Sequence, residues 1–258
     1  MGGMIPFGDA SRRPRRSPVV TTAIIAVNAL VFVLELTGGD AFVQKWSVIP
    51  ADIVAGQHWI TILTAMFMHG GWLHILGNMV FLHAFGPEVE DAMGRVSYLA
   101  FYVLSGLVAS FAQIAAMPHS TVPNLGASGA IAGVLGAYLL IYPWANVHCF
   151  LWIVIFFWII TVPAWVLLSV WFAMQLLSGL LSGPHAPGVA FWAHVGGFVS
   201  GVVLMLLLRP RRVMLWHAQK SPIFAAAPPS EMRGRRTFHE GSVPAAGQRY
   251  PRPPSPWN

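Results

Sequence analysis

A serine at the start of an apolar, glycine-rich segment has the surroundings that a nucleophile needs. Ser128 stands in a Gly-Ala-Ser-Gly sequence (residues 126–129) that directly follows a polar stretch (117–124). The first N–H groups of a helix have no partner within it, so a helix beginning here would present donors to a developing oxyanion. Taken alone, the motif fits a helix cap with a small-residue packing face better than a nucleophile.

A histidine in the last apolar segment is the candidate base. His194 lies in an Ala-His-Val-Gly-Gly sequence, and an ionisable residue inside an apolar span is a functional candidate because it is costly there. Gly197 and Gly201 form a face that allows close approach to another helix, and the glycines after Ser128 are natural partners. This pairing predicts that His194 Nε2 lies within reach of Ser128 Oγ. The alternative is a neutral histidine that hydrogen-bonds to a neighbouring backbone.

Two further polar side chains could hold a developing negative charge. His74 and Asn78 are four residues apart, so they share one face of a helix, and both side chains are suitable oxyanion donors. The rival interpretation is a metal site built from a loose cluster of histidines: His58, His69, His74 and His83. No His-Glu-x-x-His motif occurs and the one cysteine, Cys149, is distant, so we predict neither a metal nor a cofactor. No pair of aspartates lies in the apolar segments, which excludes an aspartyl protease.

The elements that carry these residues belong to a membrane protein. Of the 258 residues, 56% are hydrophobic and 9% are charged, whereas soluble domains carry roughly a quarter charged residues. No Asp, Glu, Lys or Arg occurs in the 113 residues from Val96 to Leu208. The formal net charge is +3 for residues 1–17, −4 for 18–208 and +7 for 209–258. This pattern excludes an ordinary soluble enzyme, and it argues against nucleic-acid binding because the basic residues flank an uncharged core.

Six apolar segments are candidates to cross a membrane as helices. They cover roughly residues 19–36, 73–87, 96–117, 127–144, 149–181 and 189–208. The fifth is long and interrupted by Pro163, which predicts a kinked or tilted helix. Residues 38–72 carry several large aromatic side chains and are predicted to form a loop in the membrane interface. The predicted fold class is an all-α polytopic membrane protein, a six-transmembrane-helix bundle with an interfacial loop between helices 1 and 2.

The charge pattern also predicts domains and orientation. An even number of spans puts both termini on one side, and the positive-inside rule makes that side cytoplasmic, with only Lys45 of the basic residues outside. Spans two, four and six then begin on the outer side, so their polar residues converge at similar depth. The predicted domains are a basic cytoplasmic tail (1–17), the membrane core (18–208) and a basic, Pro-rich cytoplasmic tail (209–258) with the composition of a disordered segment.

Four short motifs occur in one order along the core. They are His-x4-His-x3-Asn over residues 69–78, Gly-x3-Glu-x3-Gly over 86–94, Gly-x-Ser-Gly over 126–129, and Ala-His-x2-Gly-x3-Gly over 193–201. With these motifs the chain resembles the rhomboid family of intramembrane serine proteases over residues 18–208. Each motif alone is weak, but the set in this order and at these helix ends is specific.

The resemblance implies a six-helix core with a serine–histidine dyad that has no acidic third member. By similarity, four residues carry the chemistry: Ser128 as nucleophile, His194 as general base and later acid, and His74 and Asn78 as oxyanion donors beside the Ser128 N–H. His69 would orient the first loop, and Glu90 would brace the inner end of the second span. The implied reaction is cleavage of transmembrane or juxtamembrane segments of single-span proteins through an acyl-enzyme. The implied place is the bacterial inner membrane, with the site open to the periplasmic side.

Two positions depart from the family pattern. The first loop of the family commonly carries Trp-Arg where this chain has Trp59 and Ile60, and some members carry an aromatic residue at the position of Ala132 that packs on the catalytic histidine. The second departure predicts that another residue restrains the ring of His194, or that the ring is looser here.

Two other functions stay open at this point. Inactive relatives bind and escort client transmembrane helices, and they typically lack the serine or the histidine that this chain has. A small transporter with histidines on an ion path would be expected to show an internal repeat, and the sequence has no convincing one. The predicted partners are transmembrane protein substrates and the lipid bilayer, without nucleic acid, while the oligomeric state is not predicted.

Overall fold

The computed structural model describes residues 2–9, 14–153, 156–182, 189–210 and 213–216. The helices are α1 (Val19–Trp46), α2 (Pro50–Val54), α3 (Thr61–Thr64), α4 (Trp72–Met93), α5 (Arg95–Ala116), α6 (Ser128–Ile141), α7 (Ala164–Leu181) and α8 (Phe191–Leu208), with a 3-10 turn at Ala65–Phe67. The strands are β1 (Gly2–Asp9), β2 (Asn146–Ile153) and β3 (Phe156–Pro163). The C-terminal tail is predicted to be disordered. Its residues beyond 216 lie outside the described ranges, so this stays a prediction.

Within the part of the chain that the structure describes, four helices are long and apolar enough to cross a membrane, namely α1, α5, α7 and α8. α6 is also apolar but has only 14 residues, and α4 has 22 residues and carries three acidic side chains near its end. Each of these six helices overlaps one of the six predicted spans. That α4 and α6 cross the membrane stays a prediction.

The first half of the fifth predicted span is wrong, so the fold is mostly helical and not all-α. Within this segment β2 (Asn146–Ile153) and β3 (Phe156–Pro163) pair as antiparallel strands, and β1 pairs with the other edge of β2. The run is rich in β-branched and aromatic residues, and an apolar run of this kind does not reveal by periodicity whether it forms a strand or a helix. The strand forms because β2 finds ladder partners on both sides. Pro163 directly precedes α7, where its missing N–H breaks no helical hydrogen bond.

The predicted interfacial loop is shorter than residues 38–72. α1 continues to Trp46 across Gly39, whose φ of 60° and ψ of −155° interrupt the helical geometry. The segment that follows holds α2, α3 and the 3-10 turn. Val48 N–H donates to the Asn124 carbonyl at 2.9 Å and Asn124 N–H donates back at 2.7 Å, which ties this segment to the stretch leading into α6. Its place in the membrane interface stays a prediction.

α6 is almost entirely buried and contacts α8 through glycines. A Cβ added to Gly197 would overlap the carbonyl oxygen of Gly129, and one added to Gly201 would lie 2.5 Å from the Cα of Gly133. Backbones this close leave no room for a side chain at Gly197 or Gly201, so the α8 side of the contact requires glycine. The small-residue faces predicted for these two segments therefore pack against each other.

A buried carboxylate connects the end of α4 to the start of α1. Glu90 Oε1 accepts a hydrogen bond from Val20 N–H at 3.0 Å, and Glu90 Oε2 accepts from the N–H and the hydroxyl of Thr21 at 2.8 Å each. The first N–H groups of a helix lack partners within that helix, and a carboxylate there also interacts favourably with the helix dipole. The start of α1 and the end of α4 therefore lie on the same side of the helix bundle.

Replacing Glu90 with alanine is expected to destabilise the protein by about 3 kcal/mol, because buried donors left unpaired cost roughly 1–3 kcal/mol each. Thermal unfolding in detergent measures the effect. Glu90→Gln keeps one acceptor oxygen, so its free energy of unfolding should fall less than that of Glu90→Ala. The matched control is Asp91→Ala, since Asp91 accepts a single, exposed hydrogen bond among the described residues, from the Arg15 N–H at 3.2 Å. Equal unfolding midpoints for Glu90→Ala and Asp91→Ala would show that the contact does not support the fold.

Candidate active site

A serine hydroxyl and a histidine ring meet where two helices begin. Ser128 is the first residue of α6, and His194 lies in the first turn of α8. Ser128 Oγ is 2.8 Å from His194 Nε2. The glycine contacts between α6 and α8 hold the two helix starts together, which is why residues far apart in sequence share a hydrogen bond. This distance suits proton transfer from a hydroxyl to an imidazole.

Two side chains of α7 contact the rest of the histidine ring. His194 Nδ1 is 2.7 Å from Gln175 Oε1. The ring of Trp171 lies against the imidazole, with 5.7 Å between ring centroids and 35° between planes. Trp171 thus restrains the ring in place of an aromatic residue at position 132. Sequence reasoning missed both residues. Their one signal in the sequence is that a tryptophan and a glutamine stand four residues apart, on one face of a helix, within an apolar segment.

His74 lies beside Ser128 because the backbone passes close to it at a glycine. Gly126 has a φ of 139°, and a Cβ added there would lie 3.0 Å from His74 Nε2 and 3.4 Å from Ser128 Oγ. The N–H of Gly70 donates a hydrogen bond to His74 Nδ1 at 3.3 Å. A neutral imidazole carries one N–H, so this bond puts the proton on Nε2, the nitrogen next to Gly126. His74 Nε2–H can therefore donate a hydrogen bond to an acceptor that lies beside Ser128.

Gly126→Ala is expected to damage the site and the fold together. A φ of 139° strains any residue with a side chain, at a cost of about 1–3 kcal/mol, and the added methyl would press on His74 Nε2. We expect a lower unfolding midpoint and at least a roughly tenfold loss of any activity that depends on His74. Gly8→Ala is the control, since a Cβ there meets nothing within 4 Å. If both variants behave like the unmodified protein, the close approach at Gly126 is not needed.

Asn78 follows His74 by one helical turn on the same face of α4. Its side chain is only 8% exposed, and Asn78 Nδ2 makes no hydrogen bond to any residue within the described ranges. A buried amide donor without a partner is costly, so such a group is a candidate to donate to a bound substrate.

The four side chains predicted from the sequence line one cavity of about 610 Å³. Most of the other lining residues are apolar, including Leu73, Phe81, Ile131, Leu135 and Trp171. Ligand sites in proteins typically have this size and this combination of apolar walls with a few convergent polar groups. The cavity can accommodate an apolar peptide segment with its carbonyl group directed at the serine.

His69 is a buried neighbour of the cavity and does not line it. Its ring is edge-on to that of His74 at 5.3 Å, and its backbone N–H donates to both carboxylate oxygens of Glu35 at 3.0 and 3.1 Å. Burial, together with the nearby His74, lowers the pKa of His69 to about 4, so the ring is neutral at physiological pH. Glu35 was missed by sequence reasoning, and it anchors the loop that leads into α4. Among the described residues, no three His, Cys, Asp or Glu side chains are grouped to hold a metal ion.

Comparison with known proteins gives the family. A model of the Rhomboid domain matches residues 56–211. The chain belongs to the rhomboid family. The resemblance carried by the four motifs is thereby confirmed, and this rhomboid protein is a membrane protein with several apolar helices.

Individual relatives share about a third of the aligned residues. The chain is 33% identical to RHOMBOID-like protein 5 of Arabidopsis thaliana over 60% of its own length and 46% of the relative's. It is 33% identical to Rhomboid protease GluP of Bacillus subtilis over 47% of its length and 24% of the relative's. It is 30% identical to the mitochondrial Rhomboid protein 1 of Saccharomyces cerevisiae over 77% of its length and 55% of the relative's. The chain thus spans about half or less of the length of these relatives.

Proposed function

We propose that this rhomboid protein is an intramembrane serine endopeptidase that cleaves transmembrane or juxtamembrane segments of single-span membrane proteins. The observation that carries the proposal is the 2.8 Å hydrogen bond between Ser128 Oγ and His194 Nε2 at the wall of the cavity. Family membership, with a bacterial relative named as a protease, supports the same reaction class.

In the proposed reaction, His194 Nε2 takes the hydroxyl proton as Ser128 Oγ attacks the carbonyl carbon of the scissile bond. The tetrahedral intermediate collapses, the C–N bond breaks, and His194 returns the proton to the leaving amine. Water then attacks the acyl-enzyme while His194 takes a proton from it. When the second intermediate collapses, the bond between the acyl carbon and Ser128 Oγ breaks, His194 returns its proton to Oγ, and the carboxylic acid leaves. No cofactor enters these steps.

The oxyanion of each tetrahedral intermediate is held by donors from α4 and α6. His74 Nε2–H lies beside Ser128, Asn78 Nδ2 is buried without a described partner, and Ser128 N–H belongs to the first turn of α6. Preorganised donors of this kind stabilise the charge that develops in the transition state more than they stabilise the ground state.

The catalytic pair works as a dyad in this proposal. The helices α6, α7 and α8, which carry Ser128, His194 and the side chains around the imidazole, contain no Asp, Glu, Lys or Arg. A carboxylate in this region would have to be desolvated at high cost. The imidazolium formed during the reaction is therefore short-lived and is stabilised by neutral groups only.

We further propose six membrane crossings in a bacterial inner membrane, with both termini cytoplasmic and the cavity open to the periplasm. The starts of α4, α6 and α8 meet at the cavity, while the Glu90 contacts put the start of α1 at the opposite ends of these helices. The basic residues of both tails support a cytoplasmic location for the start of α1.

A helical substrate segment must unwind before its carbonyl group can reach Ser128, because helical carbonyls are already hydrogen-bonded. Segments with small or helix-breaking residues are therefore the expected substrates. The substrate is proposed to approach beside α7, which has the smallest buried share, 22%, of the four candidate membrane spans among the described residues.

The test of the proposed function is covalent labelling of the purified, detergent-solubilised protein with a fluorescent fluorophosphonate. This probe reacts with a serine whose hydroxyl is activated by a base. We expect labelling of the unmodified protein and none of Ser128→Ala. A folded protein that stays unlabelled would overturn the proposal and favour a non-catalytic protein that escorts client helices, whereas labelling that persists in Ser128→Ala would exclude Ser128 as the nucleophile.

A further inference from the structure

Gln175 on α7 makes the only side-chain hydrogen bond to His194 Nδ1 within the described residues, at 2.7 Å from its Oε1 atom. We infer that Gln175 is a positioning residue that holds His194 in the tautomer and orientation in which Nε2 can accept the serine proton. The inference rests on the proposed proteolytic function. It gives the dyad a third, neutral member that the sequence motifs do not include.

A neutral imidazole carries a single proton, and its position decides whether the ring can act as base. One ring nitrogen holds that proton and the other has a free lone pair, and the general base needs the lone pair on Nε2. A carbonyl oxygen at 2.7 Å from Nδ1 can only accept, so this contact requires the proton on Nδ1. Nε2, at 2.8 Å from Ser128 Oγ, is then the acceptor for the hydroxyl. The two hydrogen bonds are consistent with each other and describe a ring that is ready to act as base.

The surroundings leave Gln175 without a substitute. Two side chains of α7 carry a hydroxyl group. Ser169 is exposed, and Ser178 lies nearly a full turn beyond Gln175. No Asp or Glu occurs on α6, α7 or α8. Loss of the Gln175 oxygen would free His194 to turn or to adopt the tautomer with its proton on Nε2, in which it cannot accept from Ser128.

The position of Gln175 also makes the base depend on α7. Gln175 and Trp171 are one turn apart on this helix and contact two different parts of the imidazole. α7 is held against α8 by the stacked rings of Phe172 and Phe198, 4.6 Å apart. A displacement of α7 would therefore remove the acceptor and the aromatic contact together. The dyad is complete only while α7 is docked on α8.

The experiment compares Gln175→Leu, Gln175→Met and Gln175→Glu with the control Met174→Leu. Leucine and methionine keep the bulk but have no strong acceptor, whereas glutamate keeps an acceptor oxygen in nearly the same place. Met174 is 60% exposed and neighbours Gln175 in sequence. The measurements are the fluorophosphonate labelling rate, kcat and KM for a single-span reporter substrate, and the thermal unfolding midpoint in detergent.

We expect Gln175→Leu and Gln175→Met to lower the labelling rate and kcat by about 10²-fold or more with KM nearly unchanged, because a wrong tautomer costs up to about 10⁴ in serine proteases. Gln175→Glu should retain both quantities to within about tenfold, and Met174→Leu should match the unmodified protein. A purely structural role predicts instead that Gln175→Glu, which buries a carboxylate, is at least as harmful as Gln175→Leu, and that kcat falls in step with the unfolding midpoint.

The outcomes separate this inference from the proposed function. If the unmodified protein is labelled and cleaves substrate while Gln175→Leu is equally active, the positioning role is wrong and the protease assignment stands. The positioning role is also wrong if Gln175→Glu has the unfolding midpoint of the unmodified protein and is still no more active than Gln175→Leu. If the unmodified, folded protein is not labelled at all, the proposed function itself fails. Should Gln175→Leu fail to fold, the Gln175→Met and Gln175→Glu pair decides in its place.

Discussion

Ser128→Ala and His194→Ala are each expected to abolish cleavage of a single-span reporter substrate. The two groups act as a unit through their 2.8 Å hydrogen bond, since the serine is a weak nucleophile without the base and the base has no other proton to take. In serine proteases the loss of either residue lowers kcat by about 10⁶-fold, and the loss of both costs little more. We therefore expect the double variant to be no worse than either single variant. The rate at which the cleaved reporter appears in proteoliposomes, followed on a gel or by fluorescence, measures the activity of each variant.

The controls for this prediction are an exposed serine and an exposed histidine elsewhere in the helices. Ser169→Ala and His83→Ala should cleave at the unmodified rate, because both side chains are exposed and neither lines the cavity. The unfolding midpoints of Ser128→Ala and His194→Ala should stay close to that of the unmodified protein. Appreciable cleavage by His194→Ala would show that another group acts as the base.

Gly201→Ala is expected to have the second-largest effect, although Gly201 does not line the cavity. The added methyl would lie 2.5 Å from the Cα and carbonyl carbon of Gly133, and real Cβ atoms do not come so close to backbone atoms. Because a backbone cannot move aside as a side chain does, α8 must shift away from α6. That shift would lengthen the Ser128–His194 hydrogen bond, and a misplacement of about 1 Å in a reacting pair can cost roughly 10²-fold in rate.

Both activity and stability should therefore fall in Gly201→Ala, with at least a 10²-fold loss of kcat and a destabilisation of about 1–3 kcal/mol from overpacking. Val203→Leu, two residues further along at a position that is 46% exposed, adds a methylene to the outer face of α8 and should leave both unchanged. Full activity of Gly201→Ala would show that the close packing of α6 on α8 does not position the dyad.

The candidate site residues could be proposed from the sequence because each has a local signature, and their catalytic roles stay a prediction. A serine between small residues at a helix start, a histidine before a glycine pair, and a histidine and an asparagine four residues apart are all recognisable without coordinates. The apolar segments also predicted where α1 and α4 to α8 lie, except that the first half of the fifth segment forms strands. Glycine faces on α6 and α8 even indicated which helices pack together, because only small residues permit that approach.

The tertiary structure decided the features that depend on a distant partner. The residues of β2 and β3 form strands because β1, more than a hundred residues earlier, and β3 both pair with β2. Glu90 finds its donors at the start of α1, and Glu35 anchors the loop before α4. The sequence shows that these groups are polar and costly to bury, but not which backbone satisfies them.

The contacts of the candidate base, His194, also depend on a distant partner. The sequence alone established a stretch of 113 residues without charged side chains, and with it a candidate serine–histidine pair that has no carboxylate within that stretch. It did not establish what holds the imidazole, because Gln175 and Trp171 reach His194 only when α7 docks on α8. Which residues share a face of one helix can be read from their spacing in the sequence, since the helical backbone repeats regularly. The contact between two helices depends on how their side chains fit together, and that is determined only when the chain has folded.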